Sequence, residues 1–264
     1  MQPLVAMPLA ARAAMRGVLA DIDDTLSTRG RITAQAYAAM ESLRAAGLLL
    51  IPITGRPAGW CDHIARMWPV DAVVGENGAL YMRHDRAAGR LRKRYVATGA
   101  ERGANRRRLA EVAEAILREV PGAALASDQP YRESDLAIDF CEDVPRLPDD
   151  AIDRIMALMR AAGMTAKMSS IHVNGWFGAY DKLAMTRTLL REEFGIDVDA
   201  ERDRFIFVGD SPNDAPMFEH FPCSVGVANV RAFIGRIATP PAYVTECESG
   251  AGFAELAAHL LAAR

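Results

Sequence analysis

The chain has little cysteine. Its four residues, Cys61, Cys141, Cys223 and Cys247, form no C-x-x-C pair. That argues against a disulfide framework and a thiolate zinc site, and reads as reduced thiols. No apolar run is long enough to span a bilayer. Neither charge dominates. A net charge of -3 over 264 residues gives no electrostatic footprint for nucleic acid or a membrane surface. No G-x-G-x-x-G or G-x-x-x-x-G-K-[ST] stands at a strand–helix junction, which disfavours a dinucleotide oxidoreductase or a P-loop enzyme. Met1 to Met15 has no early basic cluster, and Arg12 interrupts its apolar stretch. Residues 1–14 therefore read as a flexible tail rather than a secretory signal, and a cytoplasmic location is expected.

Short apolar runs that end in polar clusters are present instead. Gly17-Val18-Leu19-Ala20 runs into Asp21, Leu48 to Ile53 into Thr54-Gly55-Arg56, Ala72-Val73-Val74 into Gly75-Glu76-Asn77-Gly78, and Phe205 to Val208 into Gly209-Asp210-Ser211. Continuous runs of this length suit parallel strands covered on both faces. Pro52 cannot donate to a ladder and is expected at a strand end. Helices are expected after Thr33 as N-cap, stopping at Gly47, and after Asp181, stopping near Gly195. The alternation predicts a doubly wound α/β fold, with ligands beyond the carboxyl ends of the strands.

From Tyr81 to Gly178 the pattern changes. A hairpin around Asp85 to Arg90, helices over Arg106 to Val120 and Asp149 to Ala162, and alternating strands at Leu136 to Phe140 and Ile171 to Trp176 predict an inserted α+β module over 81–178. The core is then 15–80 with 179–264. The basic run Arg106-Arg107-Arg108 reads as a solvated helix face. Trp176 and Phe177 read as packing at the return to the core.

Asp21 and Asp23, one residue apart at a strand end, project to the same side. Two such carboxylates repel unless a cation or a proton intervenes, and either solution serves chemistry. Mg²⁺ takes oxygen ligands of this kind, and a protonated carboxyl is a general acid. Asp210 and Asp214 form a second acidic cluster at another strand end. Thr54 and Lys182 offer a hydroxyl and an ammonium to phosphoryl oxygens.

In order, Asp21-Ile22-Asp23-Asp24-Thr25-Leu26, Thr54-Gly55-Arg56, Lys182 and Gly209-Asp210-Ser211-Pro212-Asn213-Asp214 resemble the four motifs of the haloacid dehalogenase superfamily. The insertion between the second and third resembles its large-cap branch of Cof-like and sucrose-phosphate phosphatases. The resemblance implies a Rossmann-like core with an inserted cap and Mg²⁺ as cofactor. It implies Asp21 as the nucleophile that forms an aspartyl-phosphate, and Asp23 as acid and then base. Thr54, Gly55 and Lys182 would hold phosphate. Asp21, the carbonyl of Asp23, Asp210 and Asp214 would form the metal site. Asp23, retained as an acid for an alkoxide leaving group, points to phosphatases and phosphomutases rather than dehalogenases. The substrate expected is a small phosphate ester, with a sugar phosphate favoured. The alternatives are a phosphomutase and a non-catalytic sugar-phosphate sensor. Arg56, Asn77, Asp139, His172, Asn174 and Asn213 are the expected contacts to the leaving group. In particular, Asp139, His172 and Asn174 lie opposite the apolar faces of their strands. Oligomeric state, monomer or dimer, is left open.

Overall fold

The computed structural model describes all residues, 1–264. Its central sheet has six strands, all pairing in parallel, in the spatial order Gln2–Pro3, Tyr243–Val244, Val225–Gly226, Phe205–Gly209, Gly17–Ala20, Leu49–Pro52. Pro52 closes its strand, where its missing N–H costs no ladder bond.

The apolar runs alternate between two layers, as burial on both faces requires. Val18, Leu50, Ile206 and Val208 join Met40, Leu43, Phe253, Leu256 and Leu260 on one face. Leu19, Ile51, Phe205 and Phe207 join Leu189, Leu190, Phe218 and Phe221 on the other. Thr33 Oγ1 caps helix Ala34–Ala45 by accepting from Ala36 N at 3.2 Å. Asp181 caps helix Lys182–Phe194 by accepting from Ala184 N at 2.7 Å, and Gly195 ends that helix at φ 64°.

A cap module is inserted into this core. Its four-stranded antiparallel sheet runs Thr165–Met168, His172–Trp176, Asp135–Asp139, Ala124–Leu125. Helices Gly99–Glu119 and Asp149–Ala161 cover one face. Leu136, Ile138, Phe140 and Val173 fill the cap's own core with Ile116, Ile152 and Ile155. Burying each such side chain contributes roughly 1.5–3 kcal/mol. Trp176 stacks on Tyr180 with centroids 5.6 Å apart and donates Nε1–H to Tyr180 O at 3.1 Å, which packs the return to the core.

Two expectations on organisation require correction. Residues 1–14 are not a loose tail. Gln2 and Pro3 pair with Tyr243 and Val244, and Leu4, Met7 and Met15 are buried in the core. The segment covers a sheet edge that would otherwise expose unpaired backbone groups. The hairpin Leu80–Asp85 and Arg90–Tyr95 does not belong to the cap. It pairs with Val73–Gly75, and Leu80, Tyr81 and Met82 are buried with core residues. The module proper begins past this hairpin, at the helix capped by Thr98.

Candidate active site

Gly17–Ala20 lies between the next strand of this sheet in sequence, Leu49–Pro52, and Phe205–Gly209 on the opposite side. A crevice opens at this reversal, at the carboxyl ends of the three strands. Asp21, Thr54 and Asp210 follow those ends and are all buried.

Lys182 opens its helix and reaches under the crevice. Its Nζ donates to Asp21 Oδ1 and to Asp214 Oδ1, each at 2.7 Å. Burial works against the ammonium, but Asp21 and Asp214 more than offset it and raise its pKa. Carboxylate oxygens of Asp21, Asp210 and Asp214 lie within 4.8 Å of one another, all buried. Burial pushes the Asp21 carboxyl up to about 8. Lys182 opposes that rise, while Asp214 and Asp23 add to it. Asp210 is also raised, by burial first and then by Asp21 and Asp214. Three buried carboxylates against one ammonium call for a further positive charge. The all-oxygen donor set fits a hard divalent cation.

Asp214 is held by the loop it belongs to. Its Oδ2 accepts from Asp210 N at 3.1 Å and Ser211 N at 3.3 Å. A Cβ on Gly209 would sit 2.3 Å from that oxygen, so only glycine allows this approach. Asn229 donates Nδ2–H to Asp210 Oδ2 at 3.1 Å and to Asp24 O at 2.9 Å, and its Oδ1 accepts from Ser249 N at 3.0 Å. Thr54 Oγ1 accepts from Arg56 N at 3.0 Å, which sets the turn through Gly55.

The second cluster crosses from core to cap. Arg56 Nε donates to both oxygens of Asp23 at 2.9 Å. The same guanidinium pairs with Asp128 at 3.2 Å and with Glu142 at 2.5 Å, both in the cap. His172 Nε2 lies 2.9 Å from Glu142 Oε2. Burial pushes the Glu142 carboxyl up, but the adjacent His172 and the hydrogen-bonded Arg56 reverse this and hold it at about 2. Arg132 pairs with Asp128 and Asp135 and donates to Gly55 O at 2.8 Å. Glu76, fully buried in the core, accepts from Ala58 N and from Glu133 N and Ser134 N of the cap.

Between the clusters the cap leaves a gap of about 10 Å³, room for about one water. Asp21, Asp23, Arg56, His172, Asn174 and Asn213 are among the residues around it. Asn77 adjoins through Asn213, whose Nδ2 is 3.5 Å from its Oδ1. Asn174 donates to Asp135 at 3.2 Å.

Against that arrangement stands a strong likeness to solved structures. The C-terminal domain of C. albicans trehalose-6-phosphate phosphatase matches with a TM-score of 0.74 at 12% identity, over 99% of this chain and 98% of that one. The sucrose-phosphatase of Synechocystis sp. matches at 0.63 and 16%, over 93% and 98%. A haloacid dehalogenase-like hydrolase from Bacteroides thetaiotaomicron matches at 0.62 and 16%, over 93% and 99%. This chain has the capped haloacid dehalogenase fold. No protein-family model and no curated protein sequence matches it.

Within the haloacid dehalogenase fold, one sequence expectation meets a different geometry. Asp139 does not face the crevice. Its oxygens accept from the backbone N–H groups of Cys141, Glu142 and Asp143 at 2.8–2.9 Å, so it shapes the loop that presents Glu142. The Asp23 side chain turns to Arg56, apart from the carboxylates of Asp21, Asp210 and Asp214; the expectation gave only its carbonyl to the metal site. Sequence reading missed Asn229, Glu76, Asp128, Arg132, Asp135 and Glu142. Glu76 alone carried a local sign, standing at the end of a predicted strand.

Proposed function

We propose that the protein is a Mg²⁺-dependent phosphatase acting on a small phosphorylated metabolite, a sugar phosphate, through an aspartyl-phosphate. The observation that carries this reading is the Asp21–Lys182–Asp214 arrangement beside Asp210. It joins a carboxylate nucleophile, a fixed ammonium and a cation-binding acid group at one crevice. Solved structures of the same fold include a sucrose-phosphatase in complex with sucrose and phosphate and a subclass IIB sugar phosphatase.

Mg²⁺ would be held by Asp21, Asp210 and Asp214, together with the carbonyl of Asp23, and would supply charge neutralisation to the phosphoryl oxygens. Asp21 attacks phosphorus in line, and the ester P–O bond breaks as the Asp21–phosphate bond forms. Asp23 gives its proton to the leaving oxygen. A water then attacks the aspartyl-phosphate, and Asp23 takes the water's proton. Thr54 and Lys182 hold phosphoryl oxygens, and Lys182 keeps its proton because two carboxylates face it. Both oxygens of Asp23 are engaged by Arg56, so Asp23 must loosen from Arg56 to hand over a proton. The amides of Asn77, Asn174 and Asn213 suit a leaving group rich in hydroxyls.

A phosphate-release screen over sugar phosphates, nucleotides and phosphoglycerates, with and without chelator, tests the reading. Release from a sugar phosphate that stops with chelator is expected. Isomer in place of free phosphate would make the enzyme a mutase, and equal release with chelator would remove the metal.

A further inference from the structure

A cavity of about 770 Å³ opens on the cap and takes no part in the chemistry above. Leu109, Ala110 and Ala113 line it from helix Gly99–Glu119, and Leu125, Pro130 and Tyr131 from the segment before strand Asp135–Asp139. Its size and apolar walls are those of a small-molecule site. Leu125 is 41% exposed and Tyr131 59%, so a leucine and an aromatic ring stand open to water at its mouth.

Arg106 also lines this cavity. The basic run Arg106-Arg107-Arg108 divides into three fates. Arg108 lies over the Phe177 ring, Cζ 3.5 Å from the centroid, and Arg107 is exposed outside the cavity. Arg106 pairs with no acid, whereas the lining acids Glu133 and Asp135 are held by Arg102 and Arg132. The one lining charge without a counter-ion is thus a cation beside apolar walls. That combination suits a flat apolar ring with one acidic group, its ring on Tyr131 and the leucines and its acid on the Arg106 guanidinium. A flexible chain would lose more rotamer freedom in the same place.

The far side of the same segment builds the seam between core and cap. Asp128 pairs with Arg56, Arg132 donates to Gly55 O, and Glu133 N and Ser134 N donate to Glu76. Arg132 borders both this cavity and the gap over Asp21. Gly59 brings the core helix Ala58–Met67 to the cavity, and a Cβ there would sit 3.0 Å from Tyr131 Cβ. A ligand seated here touches both modules and stabilises them together.

We propose that this cavity is a regulatory site for a small aromatic acid, which acts by holding the core–cap seam. Arg106 is its anion-binding residue. The site stands whatever ester the crevice cleaves.

The test uses two fluorescent dyes on the full chain, anilinonaphthalenesulfonate and its uncharged counterpart N-phenylnaphthylamine. Saturable binding of the sulfonate is expected, about tenfold tighter than that of the uncharged dye. Arg106→Ala should weaken the sulfonate about tenfold and remove the difference, while Arg107→Ala leaves it unchanged. Ala110→Trp, at an exposed position of the lining, should fill the cavity and abolish binding of both dyes. At about ten times its Kd, the sulfonate should slow amide exchange at Glu133 and Ser134 by up to about tenfold in the wild type and not in Ala110→Trp. No saturable binding, equal affinity for the two dyes, binding that survives Ala110→Trp, or exchange that the sulfonate does not slow would each overturn the proposal.

Discussion

The acidic cluster at Asp21 and the ion-pair seam at Arg56 are neighbours, and both are buried, but they are tied to the fold differently. Asp21, Lys182, Asp210 and Asp214 all stand on the core, at strand ends and a helix start. Nothing in that cluster needs the cap. Arg56 stands on the core, and two of its three carboxylate partners, Asp128 and Glu142, stand on the cap. Its third partner is Asp23, the proposed acid. The first cluster is therefore built on the core alone, whereas the second spans the core and the cap. The proposed nucleophile stands in the cluster of one module, while the proposed acid stands beside the seam that joins two.

The largest break in this comparison comes from the first cluster. Asp21→Asn should lower phosphate release by about 10⁴-fold or more, with little change in the melting temperature, because Lys182 keeps Asp214. Activity and thermal unfolding measured together check it. Arg56→Ala attacks the seam instead. It takes one cationic partner each from Asp128, which keeps Arg132, and Glu142, which keeps His172, and should destabilise the core–cap seam by about 1–3 kcal/mol. Faster hydrogen exchange at Glu133 and Ser134, with the core strands unchanged, is the expected signature. Asn229→Ala should weaken Mg²⁺ dependence about tenfold, since Asn229 orients Asp210, and a metal titration of activity reads it.

Acid should distinguish the clusters more gently. Glu142 is held at about 2 in the fold, below its ordinary value of 4.5. Its contribution is therefore present above about pH 4.5 and is lost as pH falls toward 2. Exchange at the seam measured at pH 5 and pH 3 should show faster opening at the lower pH. The smallest effect is expected at Arg236→Ala. Its pair with Asp153 links core and cap at 3.2 Å, but Asp153 is 62% exposed. Loss of about 0.2–1 kcal/mol, fading in salt, should show in denaturant titrations.

Much of the core was legible because its signals are local. An apolar run that ends in Asp or Thr names both a strand and the place of its first polar residue, and the parallel fold brings those ends together. Val18 and Leu19 face opposite layers, as an all-apolar strand requires. The N-terminus misled because Leu4 and Met7 carry no periodicity. Their burial depends on a sheet edge at Tyr243–Val244, about 240 residues away in sequence. The hairpin at 80–95 misled because its pattern is that of any hairpin, and only packing beside Val73–Gly75 assigns it to the core.

The chain by itself determined the strand–acid junctions at Asp21, Thr54 and Asp210, the caps at Thr33 and Asp181, and the alternation of the cap strands. These depend on backbone preference and on neighbours a few residues away. Tertiary structure alone decided which acids stand together, that Asp139 shapes a loop, and that Arg56 joins Asp23 to the cap. Charge pairing acts across space, and Arg56 meets Glu142 from 86 positions away. No local pattern encodes that choice, because the arginine could pair with any acid that the fold brought within reach.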